Sequence, residues 1–211
     1  YINNYYMLKK FLDNYFITNL LLFIVLIVVF YYFVTNSDYF NLKCIVSTVD
    51  GTKYCIRERY QSKEAADLLA KVMVKCEKLV NNLYEKHPDN ESIQRLHKNF
   101  DKSRVVETLP TSELKAYSEN KGQKLAFCLS SESKKDNNNL IDENTLMFVA
   151  LHELSHLATK SIGHNDEFWT NFKFILEEAE KINIYNPEDY KKKNKEYCGM
   201  TIKDNPYYDY N

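Results

Sequence analysis

The chain has 211 residues, room for one compact domain with an appendage rather than two full-sized domains. Its 28 Lys and Arg balance 29 Asp and Glu, leaving a formal net charge of −1 and no basic footprint of a nucleic-acid binder. Five cysteines (Cys44, Cys55, Cys76, Cys128, Cys198) include no C-x-x-C pair; their odd number and spacing argue against a disulfide framework and a thiolate metal site.

Residues 1–15 read as an N-terminal flank, mixed in character and without an initiating Met, as in a fragment or a processed product. From Phe16 to Val34 the sequence FITNLLLFIVLIVVFYYFV carries no charge. A run of about 18 or more such residues matches the ~30 Å hydrocarbon thickness of a bilayer, and Tyr31 and Tyr32 lie near one end, where interfacial aromatics belong. Residues 16–34 are therefore expected to be a single-pass transmembrane helix. Thr35-Asn36-Ser37-Asp38 offers no signal-cleavage pattern. Lys9 and Lys10 before the span are matched by Lys43 and Lys53 after it, so the side of the membrane is not determined.

Residues 35–60 read as a linker and a β-hairpin around Asp50-Gly51. A two-residue turn there puts Cys44 opposite Arg57, with Cys55 a diagonal neighbour about 7–8 Å away, long for a disulfide. Both cysteines are expected to be free thiols. Residues 61–211 form the main domain. Ser62 is placed to cap a helix carrying Ala65, Leu68, Leu69, Val72 and Cys76 at helical spacing, and a shorter helix is expected from Glu91 to Phe100. Extended segments follow at Val105-Val106 and Leu125 to Leu129, separated by the turn Asn120-Lys121-Gly122, and a polar loop spans Ser130 to Asn139. Asp142 is a good N-cap for an apolar, central helix that Gly163 is placed to stop. Asn165 or Asp166 caps a last helix through Phe168, Trp169 and Phe172, and the tail beyond Ile184 reads as irregular.

The central helix carries H-E-x-x-H: His152, Glu153 and His156. Residues four apart on a helix share a face, so both imidazoles can reach one ion about 2.0–2.1 Å from each ring nitrogen. Glu153, one position round, lies beside such an ion, where it can take a proton from water rather than ligate. A catalytic zinc needs a third protein ligand and an open position. His164 is the better candidate, because Gly163 lets the chain turn back; the alternative is Glu177, Glu178 or Glu180 on the next helix.

The stretches 117–129 (YSENKGQKLAFCL) and 146–169 (LMFVALHELSHLATKSIGHNDEFW) resemble the WLM and SprT-like zinc metallopeptidases. The region from about Lys53 to Tyr208 looks like a membrane-anchored version of them encoded by large double-stranded DNA viruses. On that resemblance, Zn2+ is held by His152, His156 and His164, and Glu153 is the general base. The family's glycine-containing strand motif falls on Asn120, Gly122, Leu125 and Phe127, and its aromatic pair on Phe168 and Trp169. The eight-residue step from His156 to His164 is longer than the usual WLM spacing and shorter than the SprT one, which leaves the subfamily open. The resemblance implies an α+β zincin-like fold, a small antiparallel sheet packed on the active-site helix. Leu125 to Leu129 would lie next to the cleft and hold a protein or peptide substrate as an extended strand.

The expected function is thus a membrane-anchored zinc metalloendopeptidase in a host-cell or virion membrane. Two alternatives stand beside it. Relatives cleave proteins crosslinked to DNA, a role that would need a basic element not evident here. A non-catalytic zinc protein of a membrane or virion would need a fourth protein ligand, and no cysteine is spaced to supply one.

Overall fold

The computed structural model describes residues 2–36, 42–109, 112–130 and 139–209, with the side chains of the first helix described from Tyr15 onward. The expected linker 37–41 and most of the polar loop, 131–138, lie outside the described residues. The chain divides into two compact units, Tyr1–Asn41 and Leu42–Asn211.

The first unit is helix α1, Ile2–Asn36. Its segment Tyr15–Asn36, 22 residues, is long and apolar enough to cross a membrane, and its large apolar side chains from Tyr15 to Phe33 are exposed.

The second unit is α+β. Its strands are β1 (Leu42–Val46), β2 (Lys53–Arg57), β3 (Val105–Glu107), β4 (Ala116–Glu119) and β5 (Lys124–Phe127). They form one sheet in the order β1-β2-β3-β5-β4. The sheet is mixed, not antiparallel as expected. Between β2 and β3 the chain makes α2 (Ser62–Lys86) and α3 (Glu91–Asn99), and this long crossover returns β3 parallel to β2. β3 is also parallel to β5, while the hairpin pairs β1–β2 and β4–β5 are antiparallel. β5 therefore lies inside the sheet, and the edge on its side is β4, a strand that residue pattern alone did not mark.

The first hairpin differs from expectation by two residues of register. The loop closes through the Ser47 N–H to the Thr52 carbonyl, and Ser47 and Thr48 donate to Asp67 of α2. This wider loop sets Cys44 directly opposite Cys55, and the two form a disulfide. A second disulfide joins Cys128 to Cys198, and Cys76 alone is free, buried in α2. Two-residue turn geometry misplaced the first pair; the second joins positions 70 apart and had no local signal.

Helices α4 (Glu143–Ala158) and α5 (Asp166–Lys181) follow. α4 buries Leu146 through Leu151 without a break, because it packs against α2, α3, α5 and β4. Each large aliphatic side chain buried there contributes about 1.5–3 kcal/mol. The tail is more regular than expected: β6 (Lys195–Tyr197) and β7 (Met200–Ile202) pair around Cys198-Gly199. Both turn residues have positive φ (51° and 76°), the conformation that a tight two-residue hairpin demands.

Candidate metal centre and cleft

α4 is fixed at both ends, which positions everything it carries. At its start Asp142 accepts from the Thr145 N–H and hydroxyl, both at 2.9 Å. Its last turn has unpaired carbonyls that attract cations. The Lys121 ammonium donates to one of them, the His156 oxygen at 3.1 Å, and to the oxygens of the C-cap Thr159 and of Ser161 just beyond, at 2.8 and 2.7 Å. Arg95 of α3 donates to the Ala158 oxygen at 2.9 Å. Burial lowers the Lys121 pKa from its ordinary value. Lys121 reaches this position because Asn120, Lys121 and Gly122 all have positive φ (45°, 56° and 105°). At Gly122 a Cβ would lie 2.4 Å from the Asn99 carbonyl oxygen, so glycine is required on two counts.

The helix ends at Ala158, earlier than expected. Gly163 is not its stop signal but a hinge in the following loop, with φ +88°, that turns His164 back toward α4. Asn165 caps α5 by accepting from the Phe168 N–H at 3.1 Å. That cap places the Phe168 ring under all three imidazoles, at 4.9 Å from His152, 4.4 Å from His156 and 4.6 Å from His164.

The three histidines are brought together through one kind of atom. Nε2 of His164 lies 3.0 Å from Nε2 of His152 and 3.1 Å from Nε2 of His156. Burial first, and the neighbouring imidazoles second, lower the His152 pKa to about 3 and the His156 pKa to about 4. Three imidazoles aiming nitrogens at one point are a donor set for a borderline cation, at a separation suited to nitrogens ~2.0–2.1 Å from a shared ion. The residues fit a metal. Among the described residues no carboxylate or thiolate joins the group. Glu178 is committed to Lys181 at 2.7 Å and Lys86 at 3.7 Å, and Glu177 and Glu180 stand outside the cluster. His87 packs edge-on against Phe174 and His97 stacks on Tyr84, both away from it.

Glu153 is 4% exposed, and its Oε2 has no hydrogen-bond partner. Burial alone pushes its carboxyl up to about 8. Above that value the side chain is a carboxylate, and its unpartnered Oε2 can then accept a proton from a group arriving in the cleft. Tyr185 and Tyr190 are core residues, and the Tyr197 hydroxyl is engaged by the Cys128 N–H and the Lys115 carbonyl at 3.1 and 3.3 Å.

Two hollows flank the histidines. One, about 420 Å³, runs along β4 from Ala116 to Lys121 and past His156, Gly163 and His164. The other, about 550 Å³, lies beside His152 and Glu153 and is closed by the β6–β7 hairpin. Sequence reasoning missed the edge strand, the Lys121 cap and this hairpin. The glycine of Cys198-Gly199, between two short runs of strand-forming residues, was the signal for the last.

No family model matches the chain. It is 26% identical over 162 residues to an uncharacterized protein of Acanthamoeba polyphaga mimivirus, covering 75% of this chain and 81% of that one. It is 44% identical over 59 residues to a protein of Invertebrate iridescent virus 3, covering 28% and 36% of the two chains. With a protein of Invertebrate iridescent virus 6 it shares 33% over 84 residues, covering 40% and 45%. The chain thus spans less than half the length of these two iridescent-virus relatives. Among solved structures it is similar to Wss1 of Saccharomyces cerevisiae at a TM-score of 0.46 and 19% identity, covering 60% of this chain and 86% of that chain. A mutant of the same protein gives a TM-score of 0.46 and 18% identity.

Proposed function

We propose that this chain is a zinc-dependent, zincin-like endopeptidase tethered to a membrane by Tyr15–Asn36. The observation that carries the reading is the convergence of three Nε2 atoms beside the buried, unpartnered Glu153. His152, His156 and His164 would hold the ion. Bound there, zinc supplies Lewis acidity and brings the pKa of water down to about 7. Glu153 takes the proton from the attacking water and returns it to the leaving amine. The open edge of β4 holds the substrate as an added strand, through backbone hydrogen bonds that are indifferent to sequence. Lys121 and Arg95 keep the helix carrying His152 and His156 from fraying.

Purified full-length protein is expected to carry about one zinc per chain. Glu153→Gln is expected to keep that zinc and to lower cleavage of an unfolded protein substrate about 10²–10⁴-fold. Tight zinc binding without cleavage in the wild type would refute the enzyme reading. A second reading takes the substrate to be a protein crosslinked to DNA, favoured by the motif shared with the WLM and SprT-like peptidases. Stimulation of cleavage by added DNA would select it, and indifference to DNA would select the membrane-tethered peptidase.

A further inference from the structure

The two hollows beside the histidines differ in a way that bears on which peptides fit. The hollow along β4 is lined by the strand itself and by a mixture of polar and apolar side chains, among them Tyr117, Asn120 and Ile162. The other is walled by Phe148 and Val149 of α4, Phe172 of α5 and Met200 and Ile202 of the hairpin. Its volume, about 550 Å³, exceeds what one aromatic side chain fills and lies within the ~300–1,000 Å³ typical of ligand pockets.

Three large apolar side chains stand exposed at its mouth: Leu114 at 60%, Trp169 at 45% and Met200 at 46%. Exposed apolar surface gathered around a hollow, rather than scattered singly, marks a place that something apolar covers. The far wall is also held in shape. The Cys128–Cys198 disulfide ties the hairpin turn to the segment just after β5, and the Tyr197 hydroxyl accepts from the Cys128 N–H. Lys195 at the start of β6 pairs with Asp142 at 2.9 Å, fastening the hairpin to the start of α4.

This apolar hollow meets the start of β4, at Lys115 just before it and at Ala116, whereas the hollow along β4 extends past its end to Lys121. An added strand pairs most stably in the antiparallel sense. A peptide so paired runs its N-terminal half past Lys121 and Ser118 and its C-terminal half past Ala116 and Leu114. The residue that follows the scissile bond then faces the apolar hollow.

We infer that the β6–β7 hairpin makes this site selective for substrates with a large apolar or aromatic residue immediately after the cleaved bond, with Met200 and Ile202 as the specificity-determining residues. The inference rests on the peptidase reading above.

The test is cleavage of a degenerate peptide library by the zinc-loaded full-length protein in detergent, followed by sequencing of the new N-termini. Phe, Tyr, Leu and Met are expected there at about tenfold or more over Gly and Asp. Met200→Glu is expected to abolish that enrichment and raise Lys and Arg. Ile202→Trp, which fills the hollow without adding charge, is expected to shift the preference to Ala and Gly. Cleavage with no apolar preference at the new N-termini overturns the inference and leaves the peptidase reading standing. In parallel, library peptides retained by the Glu153→Gln protein are sequenced. Retention enriched in large apolar residues with no wild-type cleavage supports the pocket and sinks the peptidase; neither cleavage nor enriched retention overturns both.

Discussion

The indole Nε1 of Trp169 donates to the carbonyl of His164 at 3.1 Å, so α5 grips the backbone of the imidazole that completes the histidine cluster. His164 is exposed and sits in a loop turned by Gly163, whereas His152 and His156 are held by a buried helix. The indole is thus part of what keeps the third nitrogen in place. Trp169→Phe keeps an aromatic ring, though a smaller one, and removes the donor. It is expected to weaken zinc affinity about 10–100-fold, the usual effect of losing a group that orients a ligand. Competition with a chromophoric chelator measures this, and an unchanged affinity would show that the loop is held without the indole.

Gly122 offers a test of the scaffold that does not involve metal. A Cβ there meets the Asn99 carbonyl oxygen at 2.4 Å, and the φ of +105° is one that side chains rarely adopt. Gly122→Ala is expected to lower stability by at least about 1–3 kcal/mol, by backbone strain and by pushing β4–β5 away from α3. The displaced turn carries Lys121, so the last turn of α4 loosens with it. Urea unfolding reads the first effect; amide exchange at Ala158 and Thr159 reads the second. A variant as stable as the wild type would mean that the chain shifts around the new methyl at no cost.

Much of the site was legible because it is local. Asp142 and Asn165 cap the helices as their residue types require, and the i, i+4 spacing alone put His152 and His156 on one face. The choice of His164 over the glutamates of α5 followed from a glycine one residue away. What could not be read depends on partners distant in sequence. Cys44 and Cys55 were mispaired because hairpin register here is set by Asp67, in another element, gripping Ser47 and Thr48. The edge position of β4 depends on β3 arriving parallel to β5 after a two-helix crossover. Lys121 is an ordinary turn lysine until α4 presents its carbonyls.

Asp142 carries a pH dependence whose sign is fixed. Burial opposes its ionisation, but hydrogen bonds from Lys195 and from the Thr145 N–H and hydroxyl outweigh this and leave its pKa below the ordinary value. Because the folded-state value lies below the unfolded ~3.9, the cap's ionic contribution is complete above the unfolded value and disappears as pH falls through the folded one. Asp142→Asn keeps a capping oxygen and loses the charge. It is expected to cost about 0.3–1 kcal/mol at neutral pH and to flatten the acid limb of the stability profile below about pH 4. Acid limbs of equal slope in the two proteins would count against an ionised cap.

The Cys128–Cys198 disulfide closes a loop of 70 residues that includes α4 and α5. Cross-linking so long a loop restricts the unfolded chain, a contribution of roughly 4 kcal/mol on the chain-entropy model. The Cys44–Cys55 bridge spans 11 residues within one hairpin, and the same reasoning gives it less, about 2–3 kcal/mol. Cys128→Ser with Cys198→Ser is therefore expected to lower the melting temperature more than Cys44→Ser with Cys55→Ser does. The two pairs also differ in what they release. Cys198 sits in the turn of the hairpin whose Met200 and Ile202 wall the larger hollow, whereas Cys44 and Cys55 pair at the opposite end of the sheet from β4. Loss of the first bridge is expected to raise binding of a hydrophobic dye and to loosen peptide selectivity; loss of the second should leave both unchanged. The histidine cluster is built by α4, the loop after it and α5, none of which contains either bridge, so zinc content should survive both pairs of substitutions. Thermal melts, dye titration and metal analysis on the two double variants separate these effects, and equal destabilisation by both would refute the loop-length account.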